Sequence, residues 1–507
     1  MRTAVALLCL LISFHTNAQT ANPPPRDDFQ LQLAASVVSA ALAFIAPRAL
    51  DAVTVQQLAI WGLGAPAALD PSLSTELRDG AVLLLRADRT LYRRAVPPDA
   101  SAGEWGELVA DILRAASTAS PGLRTAGTQG MLTAFFDELF NRLDPYSRYI
   151  PPGAADADRA RRSGEAGAGI QLKPSAGGFI VSDVNADGTG AEAGIRLGDR
   201  ILAVDEQPVA GVTLETVQSW ITGLEGTTVR IALRSGRGPA RTLDVERAVT
   251  PPETVFATRT ADLLIVRIKG FSADTDERLA RDLERNLSGP RGQGIRGLVL
   301  DLRGNRGGLL RQAVSATDLL LESGTVATTA GRNPQAAHEW TATHGDLAAG
   351  RPVIVLVDGR SASAAEIMAA ALADQGRAVV VGSTTLGKGL VQTIATLPDG
   401  GELFVSWSRV LAPKGWPLQG LGVLPQVCTS LGPEALQQQL AALDRGTQPL
   451  AAALARHRAA RAPLPAAETL ALRNPCPASE ARDADLTAAR FLVTHPAAYA
   501  AARLTPP

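Results

Sequence analysis

The chain of 507 residues holds 49 lysines and arginines against 50 aspartates and glutamates, a formal net charge of −1, and 46% of its residues are hydrophobic. Acids and bases are interspersed, so the chain has no polyanion-binding signature and nucleic acid is not an expected partner. The length accommodates roughly two to four domains with sizeable apolar cores. No run after residue 20 stays apolar for the roughly 18 residues that a spanning helix needs, so no transmembrane segment is expected in the mature chain.

The opening "MRTAVALLCLLISFHTNAQTA" has one basic residue, Arg2, an apolar stretch from Ala4 to Phe14, and small residues before Gln19. It reads as a secretory signal peptide over residues 1–18, cleaved after Ala18, and predicts a periplasmic or otherwise exported protein. The alternative is a buried N-terminal helix. Cys9 falls in the discarded segment, which leaves Cys428 and Cys476. In an oxidising compartment these can form one disulfide; two unpaired buried thiols remain the alternative, because sequence carries no distance between them. After a polar leader, residues 27–150 form a mostly helical region: "FQLQLAASVVSAALAFI" and "GTQGMLTAFFDELFNRL" repeat apolar residues at spacings of three and four. Within it, "DGAVLLLRADRTLYRRAV" reads equally as a strand pair. Pro145, Pro151 and Pro152 are expected to end any helix and start an extended link, and the charged stretch from Asp156 to Glu165 is expected to be mobile.

Residues 164–249 change character. Short alternating strands such as "GFIVSDV", "TTVRIALRSG" and "RTLDVERA" are separated by glycine turns, with one helix starting at Thr213. This is a small β-rich module. It resembles a PDZ domain, with "GAGI" (Gly167, Ala168, Gly169, Ile170) in place of the carboxylate-binding loop and "AGIRLGDRILAVD" in place of the central strand and turn. That resemblance implies capture of a peptide's free C-terminus: backbone N–H groups hold the carboxylate and a strand edge pairs with the extended chain. A plain docking module is the alternative.

From 252 to 430 apolar strands "LLIVRI", "GLVLDL", "PVIVLVD" and "AVVVG" alternate with helical stretches, which predicts a mainly parallel sheet covered by helices; "LVQTIATL" and "LFVSWSRVLAP" follow as extended segments. Residues 431–507 are Ala-rich and broken by prolines at 463, 465, 475 and 477, and are expected to form loosely packed helices. The fold class read from these elements is multidomain α/β: a helical N-terminal region, a PDZ-like module, an α/β core and a helical tail.

Ser361 and Ser363 follow the strand "PVIVLVD" and open the helix "AEIMAAALAD", where one hydroxyl can stand beside unpaired N–H groups. A lone serine there is usually only an N-cap. Here the next strand, "AVVVG", leads back to a glycine-flanked lysine, "LGKG", and a right-handed crossover onto an adjacent parallel strand would bring Lys388 near the serine. Burial can lower a lysine from about 10.4 to roughly 7–8, low enough to take a hydroxyl proton. Histidine is scarce as an alternative base: His338, His344, His457 and His495 lie in no strand-end motif. The strand–turn–helix "LVLDLRGNRGGLL" supplies candidate oxyanion donors at Gly307 and Gly308, with a purely conformational use of these glycines as the alternative.

The stretch "SASAAEI…LGKG" resembles the carboxyl-terminal processing proteases, the tail-specific serine peptidases of family S41, whose core reads S-A-S-A-S-E-I and then F-G-K-G. The resemblance runs from "GMLTAFFDELFNRLDPYSRYIPP" through the PDZ-like module to "RVLAPKGWPLQGLGVLPQV". It implies a core of the crotonase/ClpP-like type, Ser363 as nucleophile, Lys388 as general base and Gln392 as the residue that holds the lysine. Ser361 would then be structural, Glu366 and Asp374 would support the site, and the amide of Ala364 would join one glycine amide of the 307–308 turn as an oxyanion donor. Arg306, Gly304, Leu386 and Ala365 depart from the family pattern, which expects proline, asparagine, phenylalanine and serine there.

The function implied is an exported serine endopeptidase with a Ser–Lys dyad acting on proteins with free apolar C-terminal tails. An inactive peptide-binding scaffold of the same fold and a crotonase-like thioester enzyme are the alternatives. No metal or organic cofactor is implied, because no His/Cys/Asp cluster has ligand spacing. An adaptor protein and a homo-oligomer stay open.

Overall fold

The structure is a computed structural model that describes residues 29–98, 101–185 and 188–504. The expected signal peptide lies outside the described residues. Among those described, no helix is long and apolar enough to cross a membrane.

In the N-terminal region the helix Leu31–Ile45 turns Val37, Val38, Ala41, Leu42 and Ile45 inward against helix Ala102–Ala119. The "AVLLLRADRTLYRRA" stretch is two strands, Ala81–Arg86 and Arg89–Ala95, paired with Leu73–Arg78. Asp79 and Gly80 both take positive φ, +50° and +67°, which suits an Asp-Gly hairpin turn and settles the strand reading over the helical one.

The strand Arg148–Ile150 leaves this region and pairs with Glu402–Leu411, setting Arg148 opposite Phe404. The stretch expected as an extended, mobile link is instead a helix, Pro152–Ser163. Pro152 occupies the first turn, where a missing N–H costs nothing, so it starts the helix rather than stopping one. Arg161 and Arg162 pair with Asp158, and Arg159 and Arg162 reach the buried carboxylate of Glu402 at 2.8 and 2.9 Å. A buried carboxylate held by two guanidiniums fixes the helix against the core.

The β-rich module has its own apolar cluster, including Val181, Ile201, Val204, Val217 and Ile231. Its main sheet ends at strand Ile170–Ser175, which among the described residues neighbours only Gly178–Val184. Its helix, Leu214–Ile221, is capped by the Thr213 side chain.

The α/β core is a six-stranded sheet in the order Val255–Arg259, Leu263–Ile268, Gly297–Asp301, Val353–Val357, Ala378–Gly382, Val427–Cys428, parallel throughout except at the first pair. The three central strands are buried at every position, which accounts for their unbroken apolar runs. Leu298, Leu300, Val353, Val355 and Val380 face helices Thr275–Leu287, Leu310–Asp318 and Ala364–Asp374. Their neighbours Val299, Ile354, Leu356, Val379 and Val381 face Leu436, Leu443, Leu492, Val493 and Tyr499 of the C-terminal helices. These helices are therefore not loosely packed: a parallel sheet needs both faces covered, and the tail covers the second. The Tyr499 hydroxyl accepts from the Val353 N–H at 3.1 Å, and a disulfide joins Cys428 to Cys476.

Candidate active site

Three neighbouring parallel strands end at one edge of the core sheet, and each carries part of the site on the turn that follows. Gly297–Asp301 leads to Gly307 and Gly308, Val353–Val357 to Ser363, and Ala378–Gly382 to Lys388. Ser363, Ala364, Gly307, Gly308, Lys388 and Gln392 line one cavity of about 720 Å³.

Ser363 opens helix Ala364–Asp374 with φ +57° and ψ −115°, a left-handed conformation that a serine adopts only when its surroundings impose it. Those surroundings are polar and buried. The carboxylate of Glu366, with no solvent exposure, accepts from the Ser363 N–H at 2.7 Å and from the Lys388 N–H at 2.9 Å through the same oxygen, Oε2. Its other oxygen accepts from the Gly387 N–H at 2.7 Å and from the Thr385 hydroxyl. One carboxylate thus places the backbones of Ser363 and Lys388 within two hydrogen-bond lengths of each other. Burial pushes the Glu366 carboxyl above its ordinary range, and its donors pull the other way.

Lys388 is half-buried. Among the described residues its ammonium takes part in no hydrogen bond or ion pair; it lies over the Tyr146 ring, 5.3 Å from the centroid. Burial first, and the Arg148 guanidinium second, push its pKa below the ordinary 10.5, against a smaller opposite pull from Glu366. Gln392 shares the cavity but bonds elsewhere: its Nε2 donates to the Tyr146 carbonyl, and its Oε1 accepts from Arg148 at 3.2 Å. The resemblance implies that Gln392 holds the lysine; among the described residues its amide bonds Arg148 and the Tyr146 carbonyl and makes no hydrogen bond to Lys388.

The 307–308 turn rests directly on the serine. A Cβ at Gly307 would sit 2.9 Å from the Ser363 Cβ, and one at Gly308 would fall 2.2 Å from the Phe271 carbonyl oxygen, so both positions need glycine. The Gly307 N–H is already engaged by the side chain of Asn305 at 2.8 Å. The N–H groups of Gly308 and Ala364 make no hydrogen bond among the described residues. Asn305 is fully buried; its amide also donates to the Ile268 carbonyl, and its own carbonyl accepts from Ala362, so it ties the glycine turn to the serine turn. Asp358 makes a second tie, accepting from Gly304 and Ser361 N–H. Ser361 is buried and donates to the Leu302 carbonyl at 2.8 Å, so its hydroxyl is spent on structure.

Asp374 lies at the other end of its helix, about 15 Å along the axis from Ser363 by helical rise. There it accepts from Arg458, Trp416 and the Lys414 N–H and anchors the C-terminal helices, away from the cavity. The loop Gly167–Ile170 lines a separate cleft with Ile221 and Thr222 of the β-rich module and Arg278 of the core. Reasoning from sequence missed Tyr146, Arg148, Asn305 and Thr385. Asn305, before two glycines, carries a turn signal; Arg148 and Tyr146 carry none.

The model of peptidase family S41 matches residues 262–429, and that of the PDZ domain matches residues 158–234. The carboxy-terminal-processing protease of Bartonella bacilliformis is 33% identical over 287 residues, 56% of this chain and 66% of that protein. The carboxyl-terminal-processing protease of Picosynechococcus is 32% identical over 321 residues, 60% of this chain and 76% of its own. A solved structure, the photosystem II D1 C-terminal processing protease, is 25% identical with a TM-score of 0.35, covering 75% of this chain and 97% of that one. The matched S41 core, the PDZ module before it and these identities along relatives' lengths place the chain in the carboxyl-terminal processing proteases, the serine peptidases of family S41.

Proposed function

We propose that this chain is an exported endopeptidase in which Ser363 is the nucleophile and Lys388 the general base. The observation that carries the reading is the Glu366 carboxylate, which accepts the N–H of both residues on one oxygen. Neutral Lys388 takes the Ser363 hydroxyl proton as Oγ adds to the scissile carbonyl carbon. The negative charge that develops on the carbonyl oxygen is met by the N–H groups of Gly308 and Ala364, each worth roughly 3 kcal/mol. The lysine then gives its proton to the leaving amine, the C–N bond breaks, and an acyl-serine remains. A water deprotonated by Lys388 attacks that ester, and the proton returns to Ser363 as the bond to Oγ breaks.

Gln392, through Arg148, and Glu366 act as positioning residues, and the Arg148 charge favours the neutral lysine. The PDZ module captures the free apolar tail of a protein substrate along the open edge of strand Ile170–Ser175. Export is supported by the apolar N-terminal stretch and by the Cys428–Cys476 disulfide, which belongs to an oxidising compartment. The test is incubation of the purified protein with an unfolded protein that ends in an apolar tail. Cleavage is expected, with loss in Lys388→Ala and in Ser363→Ala; cleavage that survives either change would sink the dyad.

A further inference from the structure

We propose that the cleft selects substrate segments carrying an acidic side chain close to the scissile bond, recognised by Arg306 and Lys269; this rests on the peptidase reading above. The cavity around Ser363 is lined by six cationic side chains, Arg148, Arg161, Arg162, Lys269, Arg306 and Lys388, and by one carboxylate, Asp158. Asp158 is already taken by Arg161 and Arg162, and Arg162 is shared with Glu402. Arg148 donates to Tyr146 and Gln392, and Lys388 is the base. That leaves Lys269 and Arg306, which pair with no carboxylate among the described residues; Lys269 lies over the Phe256 ring, 4.1 Å from its centroid.

These two cations share a wall. Arg306 immediately precedes Gly307, and Lys269 lies two residues before Phe271, whose backbone bridges to Gly308. Both residues line the cavity together with Gly307 and Gly308, the turn on which the scissile carbonyl would rest. The surplus is local rather than compositional, because the whole chain is balanced at −1. Cations of one sign in a cleft repel one another and focus a positive potential, which a carboxylate entering with the substrate relieves. Arginine also offers a planar fork that matches a carboxylate. The same cleft includes Phe271, Leu310, Ile367 and Val410, so an apolar residue can sit beside the acidic one.

The experiment uses matched internally quenched peptides of one apolar sequence, with glutamate or glutamine within three residues of the cut and the C-terminus amidated, so that a terminal carboxylate cannot answer for a side chain. The expected kcat/KM ratio, glutamate over glutamine, is about 3- to 20-fold, the range for two ion pairs at a solvent-facing rim. It should shrink as salt is raised. In Arg306→Gln/Lys269→Gln the ratio should fall to about one, whereas Arg306→Lys/Lys269→Arg should retain a preference. Equal rates in the wild type, or a preference unchanged in the double glutamine variant, overturns the proposal and leaves the Ser–Lys reading standing. Failure to cleave either peptide, together with no labelling of Ser363 by an aryl phosphonate ester, which phosphonylates activated serines with loss of the phenol, removes the peptidase reading and this one with it.

Discussion

The turn at Ser363 and the loop Gly167–Ile170 are both built from small residues, yet they are held in different ways. Around Ser363 the ties are buried side chains: Glu366, Thr385, Asn305 and Asp358 each bond backbone from a second segment. Around Gly167–Ile170 they are chiefly backbone bonds, Gly190 N–H to the Ala168 carbonyl and Asn185 N–H to the Gly169 carbonyl, beside a sheet edge left open. The contrast fits the tasks proposed for the two sites. Proton transfer from a hydroxyl to an amine needs two atoms fixed to a fraction of an ångström, and buried charge-assisted bonds supply that. Strand addition needs unpaired backbone, which side-chain clamps would obstruct.

Changes at the clamp should act on every substrate, and changes at the loop on tailed substrates alone. The largest effect is expected for Ser363→Ala: kcat should fall by about a thousandfold or more on tailed and tail-blocked substrates alike, with circular dichroism unchanged. A loss confined to tailed substrates would erase the division of labour.

Glu366→Ala comes next. It strands four buried donors, so denaturant melts should show about 3 kcal/mol or more of lost stability together with lost activity. Intact stability would mean that the carboxylate is dispensable and that the two turns hold themselves.

A smaller effect is expected at the loop. Gly169 has φ +65°, and a Cβ there would meet the Gly188 Cα at 3.2 Å. Gly169→Val should bring the kcat/KM ratio of free-tailed over amidated protein substrate, about tenfold for a captured carboxylate, close to one. A ratio that stays high would move tail capture elsewhere.

The smallest effect concerns pH. Lys388 must be neutral to act, so activity should rise with pH through a lysine pKa below 10.5. Arg148→Met removes a like charge, raises that pKa and should move the acid limb of the kcat/KM profile to higher pH. A shift to lower pH would show that Arg148 does not face the lysine as a charge.

Much of the core was legible because its signals are local. The buried strands read as unbroken apolar runs, and "SASAAEI" and "LGKG" announce a helix start and a glycine-flanked lysine joined by a short crossover. The stretch 152–163 was not: proline and charge argue for a link, whereas the helix depends on Glu402, which is distant in sequence. The hairpin at 81–95 was ambiguous because its inward strand is apolar at five consecutive positions, and only pairing with its neighbours decides against a helix.

What the sequence by itself determined is the local setting of the groups proposed to react: a serine at a helix entrance, a lysine between glycines, and glycine amides at a strand end. What only the tertiary structure decided is their company. Arg148 and Tyr146 reach Gln392 and Lys388 because strand Arg148–Ile150 pairs with Glu402–Leu411, and the C-terminal helices close the second face of the sheet. Such partners have no fixed spacing along the chain, since they are selected by the burial of strand edges and sheet faces, which is a property of the folded surface.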